Sequence, residues 1–98
     1  MSFIYKLLTK TECEFLEQTG VFHGSALDIK DGYIHASTAD QVEKTREKFF
    51  SKEIDVYRIT IDPKGLDVRF EKSPRSGETY PHIYQSLTQE NINKIEKL

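Results

Sequence analysis

DGYIHAST, residues 31–38, sets an imidazole inside a short apolar stretch that leaves an Asp-Gly turn and runs into two hydroxyls. With side chains alternating, Tyr33, His35 and Ser37 share one face and Ile34 and Ala36 the other, which is the period of a strand. Thr38 with Gln41 three residues on is a capping-box pattern, so ADQVEKTREKFF is expected to follow as a helix. In that segment Val42, Phe49 and Phe50 recur at helical spacing. A strand ending in hydroxyls ahead of a helix leaves free N–H groups at its tip, a favourable place for phosphate. Plain capping by Thr38 is the alternative, and it needs no ligand.

Outward from this stretch the signals alternate between extended and helical. Residues 3–8, FIYKLL, read as a strand interrupted by Lys6. Thr11 with Glu14 suggests a capping box, and Gly20 a stop, for a short helix with Phe15 facing inward. GVFHGSALDIKDG, residues 20–32, reads as a long surface loop closed by a turn at Asp31-Gly32. DVYRITI (55–61) alternates as a strand with Tyr57, Ile59 and Ile61 inward. Asp62-Pro63-Lys64-Gly65 is a turn signal, and LDVRFE (66–71) a second strand, which predicts an antiparallel hairpin. SPRSGE (73–78) is a loop, and YPHIYQSL (80–87) is extended around Pro81. In the tail TQENINKIEKL, Ile92, Ile95 and Leu98 fit a helix, with a short strand as the alternative. The expectation is one α+β domain over residues 1–98, with a small antiparallel or split sheet and two short helices.

Composition excludes several classes of function. The chain has 98 residues, 37% hydrophobic and 31% charged, with 14 basic against 16 acidic side chains. A net charge of −2 supplies no global attraction to nucleic acid or anionic lipid. No apolar run approaches the roughly 20 residues that span a bilayer, and the opening lacks the order of a signal peptide, so a cytoplasmic protein is expected. Cys13 is alone, and the acidic run TECEFLEQ around it argues for an idle thiol. Zinc would need His35, His82 and a carboxylate to converge by folding, since no two histidines stand at ligand spacing. No metal is expected. Gly24-Ser25 is read as a loop dipeptide, and no G-x-S-x-G motif is present.

Of the three histidines, His23 lies in a glycine-flanked loop and is expected in solvent, while His35 and His82 lie in extended segments beside aromatics. Each of the latter two is either a hydrogen-bonded fold component or a site residue. The ordered pieces Ile4-Tyr5, DGYIHAST, Gln41-Val42, Phe49-Phe50, Glu71 and Pro81-His82-Ile83-Tyr84 resemble a small family, domain of unknown function 952, over nearly the whole chain. That family is grouped by fold and motif with ADP-ribosyltransferases and RNA 2′-phosphotransferases. The resemblance implies a cleft between two small antiparallel sheets that holds NAD or an ADP-ribose-like nucleotide. It implies His35, His82 and Glu71 as catalytic residues, and Lys6, Tyr33, Ser37, Thr38 and Tyr84 as cofactor-binding residues. Lys6, Arg75 and the helix start after Thr38 would receive the pyrophosphate. Many relatives read I-Y-H where this chain has Lys6, and lysine attracts phosphate only as a point charge.

Three functions follow as expectations. One is an NAD-dependent ribosyl- or phosphotransferase with its acceptor unspecified. The second is a silent module binding a nucleotide-like metabolite. The third is a structural or partner-binding protein whose histidines belong to the fold.

Overall fold

The computed structural model describes residues 2–98. Its first strand, β1 (Ile4–Thr9), passes straight into α1 (Lys10–Thr19). Two overlapping boxes compete in TKTECE, and the earlier one wins. The Thr9 hydroxyl accepts from the Glu12 N–H and the Glu12 carboxylate accepts from the Thr9 N–H. Starting two residues before the expected Thr11 box turns the helix so that Cys13 and Leu16 face the core and Phe15, expected inside, is exposed. Gly20, with φ +75°, ends the helix in the left-handed conformation that favours glycine. Burial, aided by Glu17 and Glu14, pushes the Cys13 thiol up to about 11, in keeping with an inert group.

The expected long loop contains two elements. β2 (Val21–Phe22) pairs with β7 (Leu87–Thr88), and α2 (Ala26–Asp31) is a helix with its own capping box, Ser25 to Asp28. Gly24-Ser25 is therefore the entry to a helix rather than a plain loop. β3 (Ile34–His35) follows, then a 3-10 turn over Ala39–Gln41 and α3 (Val42–Phe49). α2 raises the α-helices to three among the described residues, against two expected. None is long and apolar enough to cross a membrane.

β4 (Val56–Ile61) is the centre of a sheet, antiparallel to β1 on one side and to β8 (Ile92–Lys97) on the other. Both its edges are thus occupied. β5 (Val68–Lys72) instead pairs with β6 (Thr79–Ile83), which also pairs with β3. The predicted β4–β5 hairpin is therefore wrong: the Asp62–Gly65 turn carries the chain from one sheet to the other. The tail is a strand because β4 offers an open edge, with Ile95 opposite Ile59. The two three-stranded sheets are joined at one point, where the backbones of Tyr5 and Ser37 exchange two hydrogen bonds of 2.8 Å.

The main core gathers Ile4, Leu8, Leu16, Ile34, Ile59, Ile61, Ile83 and Leu87. A smaller cluster, Leu7, Val42 and Val56, fastens α3 to the other face of β1 and β4, with Phe50 half-buried against it and Phe49 exposed. Period two puts Lys6 on the same face as Ile4 and Leu8. A lysine pointing inward needs a partner, and that requirement shapes the site.

Candidate functional site

Asp28, in α2, is the partner. Its carboxylate is buried to 1% exposure and receives the Lys6 ammonium at 3.0 Å. It also accepts from the Ser25 N–H at 2.8 Å, the His35 N–H at 3.0 Å and His35 Nδ1 at 2.6 Å. Burial alone would raise its pKa; the His35 ring, Lys6 and the two backbone donors more than offset that and hold it at about 2. Gly24 makes room for the arrangement: its φ is +125°, and a Cβ there would stand 2.8 Å from Asp28 Cβ.

His35 is committed at both nitrogens. Nδ1 faces Asp28, and Nε2 faces Asp31 Oδ2 at 2.9 Å. Two carboxylate acceptors match a ring that donates from both nitrogens. Asp31 is in turn bonded by Arg75 at 3.2 Å. Lys6, Asp28, His35, Asp31 and Arg75 thus form one chain of alternating charge, which ties β1, α2, β3 and the β5–β6 loop together. Arg75 and His35 keep Asp31 ionised to lower pH than usual, against some burial that opposes it.

His82, in β6, lies directly across the strand pair from His35, with ring centroids 5.7 Å apart. Its surroundings differ. The ring is buried, stacked on Tyr33 at 3.9 Å, and bonded through Nδ1 to Glu71 at 2.8 Å. Glu71 also accepts from the Tyr84 hydroxyl. These two bonds, from Tyr84 and then His82, lower the Glu71 pKa, and the bond to Glu71 raises that of Tyr84. His82 Nε2 has no partner among the described residues. The Arg69 guanidinium lies 4.3 Å from the Tyr84 ring centroid and covers that end of the cluster.

Both histidines line a cleft of about 350 Å³. Lys6, Ser37, Arg75 and the α3 side chains Lys44, Thr45 and Lys48 line it too, with Leu7, Ala36, Phe49 and Phe50 as apolar wall. Of the expected site residues, the fold therefore brings Lys6, His35, Ser37 and His82 to one concavity. Tyr33, Glu71 and Tyr84 form the cluster around His82 without lining the cleft. Thr38 stands apart: its hydroxyl donates to Asp40 at 2.6 Å, and its N–H to Gln41 at 3.0 Å. α3 begins only after the 3-10 turn, so no helix start follows Thr38 directly, and a carboxylate stands where phosphate was expected. The Ser37 hydroxyl is shared with Thr45 at 3.1 Å. His23 is exposed, as expected, and its Nδ1 meets Ser86 Oγ at 2.7 Å.

Residues 7–95 match the family described as protein of unknown function (DUF952). The chain belongs to this family. The DUF952 chain is similar to the X-ray crystal structure of protein CC0527 from Caulobacter crescentus, with a TM-score of 0.89 and 32% identity over 99% of this chain and 86% of that one. A double mutant of CC0527 gives the same figures. The solution NMR structure of CC0527 gives a TM-score of 0.80 at 32% identity, over 98% and 84% of the two chains. No curated protein matches the chain.

Sequence reasoning missed Asp28 in this DUF952 domain. Its signal was present: Ser25-x-x-Asp28 is a capping pattern, and Gly32 suits a helix stop, but a six-residue helix carries little periodicity.

Proposed function

We propose that the cleft binds a nucleotide-like small molecule of the NAD or ADP-ribose class, with His82 as the group that meets a ligand hydroxyl. One observation carries this reading: a buried imidazole lines the cleft with Nδ1 anchored by a carboxylate and Nε2 unpaired. A carboxylate on Nδ1–H fixes the tautomer and leaves Nε2 as the acceptor, the arrangement of an oriented acid or base. The cleft volume is within the roughly 300–1,000 Å³ of small-molecule sites. Lys44, Lys48 and Arg75 supply attraction for phosphate. Kinship with ADP-ribosyltransferases rests on the motif order and on two small antiparallel sheets joined beside a cleft.

Binding without transfer is the favoured form. Ribosyl transfer needs a carboxylate against the sugar to stabilise developing positive charge. Glu71, the expected one, is engaged by His82 and Tyr84 and does not line the cleft. Of the carboxylates that do, Glu12 caps α1 and Asp28 is met by Lys6, Ser25 and His35, which leaves the exposed Glu53.

The test is titration of isotope-labelled protein with NAD, ADP-ribose and AMP, read on the His82 ring signals and on the backbone amide signals of the cleft, and repeated on the amides with His82→Gln. Shifts centred on His82 in the wild type, amide shifts of the cleft weakened in the variant, and no nicotinamide released from NAD are expected. Steady nicotinamide release would restore the transferase reading, and no shift with any of the three at millimolar concentration would overturn the binding reading.

A further inference from the structure

The cleft's charged rim is asymmetric, and one member of it is held loosely. Arg75, in the loop between β5 and β6, lines the cleft with the neighbouring Ser73 and Ser76. Its guanidinium is 47% exposed and makes one side-chain bond, Nη2 to Asp31 Oδ2 at 3.2 Å. That oxygen is shared, since His35 Nε2 faces the same atom at 2.9 Å. A guanidinium carries five N–H donors in a planar fork, and a phosphate or carboxylate can take two of them at once. Asp31 therefore satisfies little of what Arg75 can offer, and losing Arg75 would leave Asp31 with its His35 bond.

Lys48 has no carboxylate partner among the described residues, and its ammonium lies 5.3 Å from the Phe49 ring centroid. Lys44 is held by Glu78 at 2.9 Å. Lys6 is consumed by Asp28. Among the described residues that line the cleft, the cations open to a ligand anion are thus Arg75 and Lys48. The volume supplies a second limit: about 350 Å³ is near the small end of ligand sites, enough for one nucleoside and its phosphate.

Resting on the binding reading above, we infer that the ligand is a nucleoside monophosphate, or the monophosphate half of a larger nucleotide, whose phosphate takes Arg75 from Asp31. Asp31 is the counter-ion of Arg75 in the empty cleft and stays bonded to His35 when the ligand is bound. The base lies along the apolar wall of Leu7, Phe49 and Phe50.

Calorimetric titration of the intact protein with AMP, adenosine and NAD tests this, with melting curves to confirm that each variant is folded. AMP should bind about tenfold or more tighter than adenosine, the scale of charge-assisted contacts to one phosphate. NAD should bind no tighter than AMP. The AMP-over-adenosine preference should collapse in Arg75→Ala and in Arg75→Gln, with adenosine binding unchanged, and Asp31→Asn should tighten AMP. A preference that survives both Arg75 variants overturns the inference, as does NAD binding about tenfold tighter than AMP or weaker AMP binding in Asp31→Asn. Wild-type protein that binds none of the three defeats the binding reading and this inference together; wild-type protein that binds adenosine and AMP equally defeats this inference alone.

Discussion

His35 and His82 face each other across one strand pair, yet they belong to two different kinds of environment. Around His35 every polar atom is spoken for: Asp28 and Asp31 hold the ring, and Lys6 and Arg75 hold the carboxylates. Around His82 a half-exposed Glu71 and an aromatic stack hold a ring that lines the cleft and leave its other nitrogen without a partner among the described residues. His35 sits in a network of ion pairs and hydrogen bonds that satisfies itself, whereas His82 keeps one nitrogen without a partner among the described residues. Proximity to the cleft does not separate the two histidines; the count of committed nitrogens does.

That contrast breaks most visibly at Asp28. Asp28→Ala strands Lys6 and His35 in the core, and urea unfolding should register a loss of about 3–5 kcal/mol. A loss under about 1 kcal/mol would place the Asp28 cluster on the surface side of the comparison. Gly24→Ala attacks the same cluster from its backbone. A left-handed φ and a 2.8 Å clash with Asp28 should cost about 1–3 kcal/mol by the same measurement.

Acid reaches the cluster without mutation. Asp28 has a folded pKa of about 2 against an ordinary 3.8, so its contribution is complete above about pH 5 and is lost as pH falls towards 2. At about 1.4 kcal/mol per pH unit the loss is about 2 kcal/mol. Denaturation midpoints measured between those limits should fall, and the fall should shrink in Asp28→Asn.

The smallest effect on stability belongs to the other side. Glu71→Gln keeps an acceptor for His82 Nδ1 on a half-exposed residue and should change stability by less than about 1 kcal/mol. The variant sharpens the comparison through Tyr84, whose ionisation Glu71 holds up. Tyrosinate absorbance should appear at lower pH in Glu71→Gln than in the wild type. An unchanged tyrosine titration would mean that the Glu71 cluster does not act as a unit.

Much of this site was legible residue by residue. The β3 alternation and the extended PHIY segment stand as read, because each depends on neighbours within four positions. The Thr38–Gln41 pattern keeps only the Thr38 N–H bond to the Gln41 side chain and opens a 3-10 turn ahead of α3. The errors at Phe15 and in residues 20–32 also have local causes, two overlapping capping boxes and a helix too short to show a period. The β4–β5 hairpin failed for another reason: a turn signal says that the chain reverses, but not which edge is still free when it does.

Local patterning in this chain determined the strand and helix segments near the motifs, the α+β class, and histidines standing beside aromatics and hydroxyls. Only the tertiary structure decided that β4 spends both edges on β1 and β8, that Lys6 points inward onto Asp28, and that His35 is closed while His82 is open. Strand periodicity and capping are short-range constraints that a sequence displays openly. Charge pairing in a low-dielectric interior depends on which distant groups arrive, and here the decisive one, Asp28, comes from a helix of six residues.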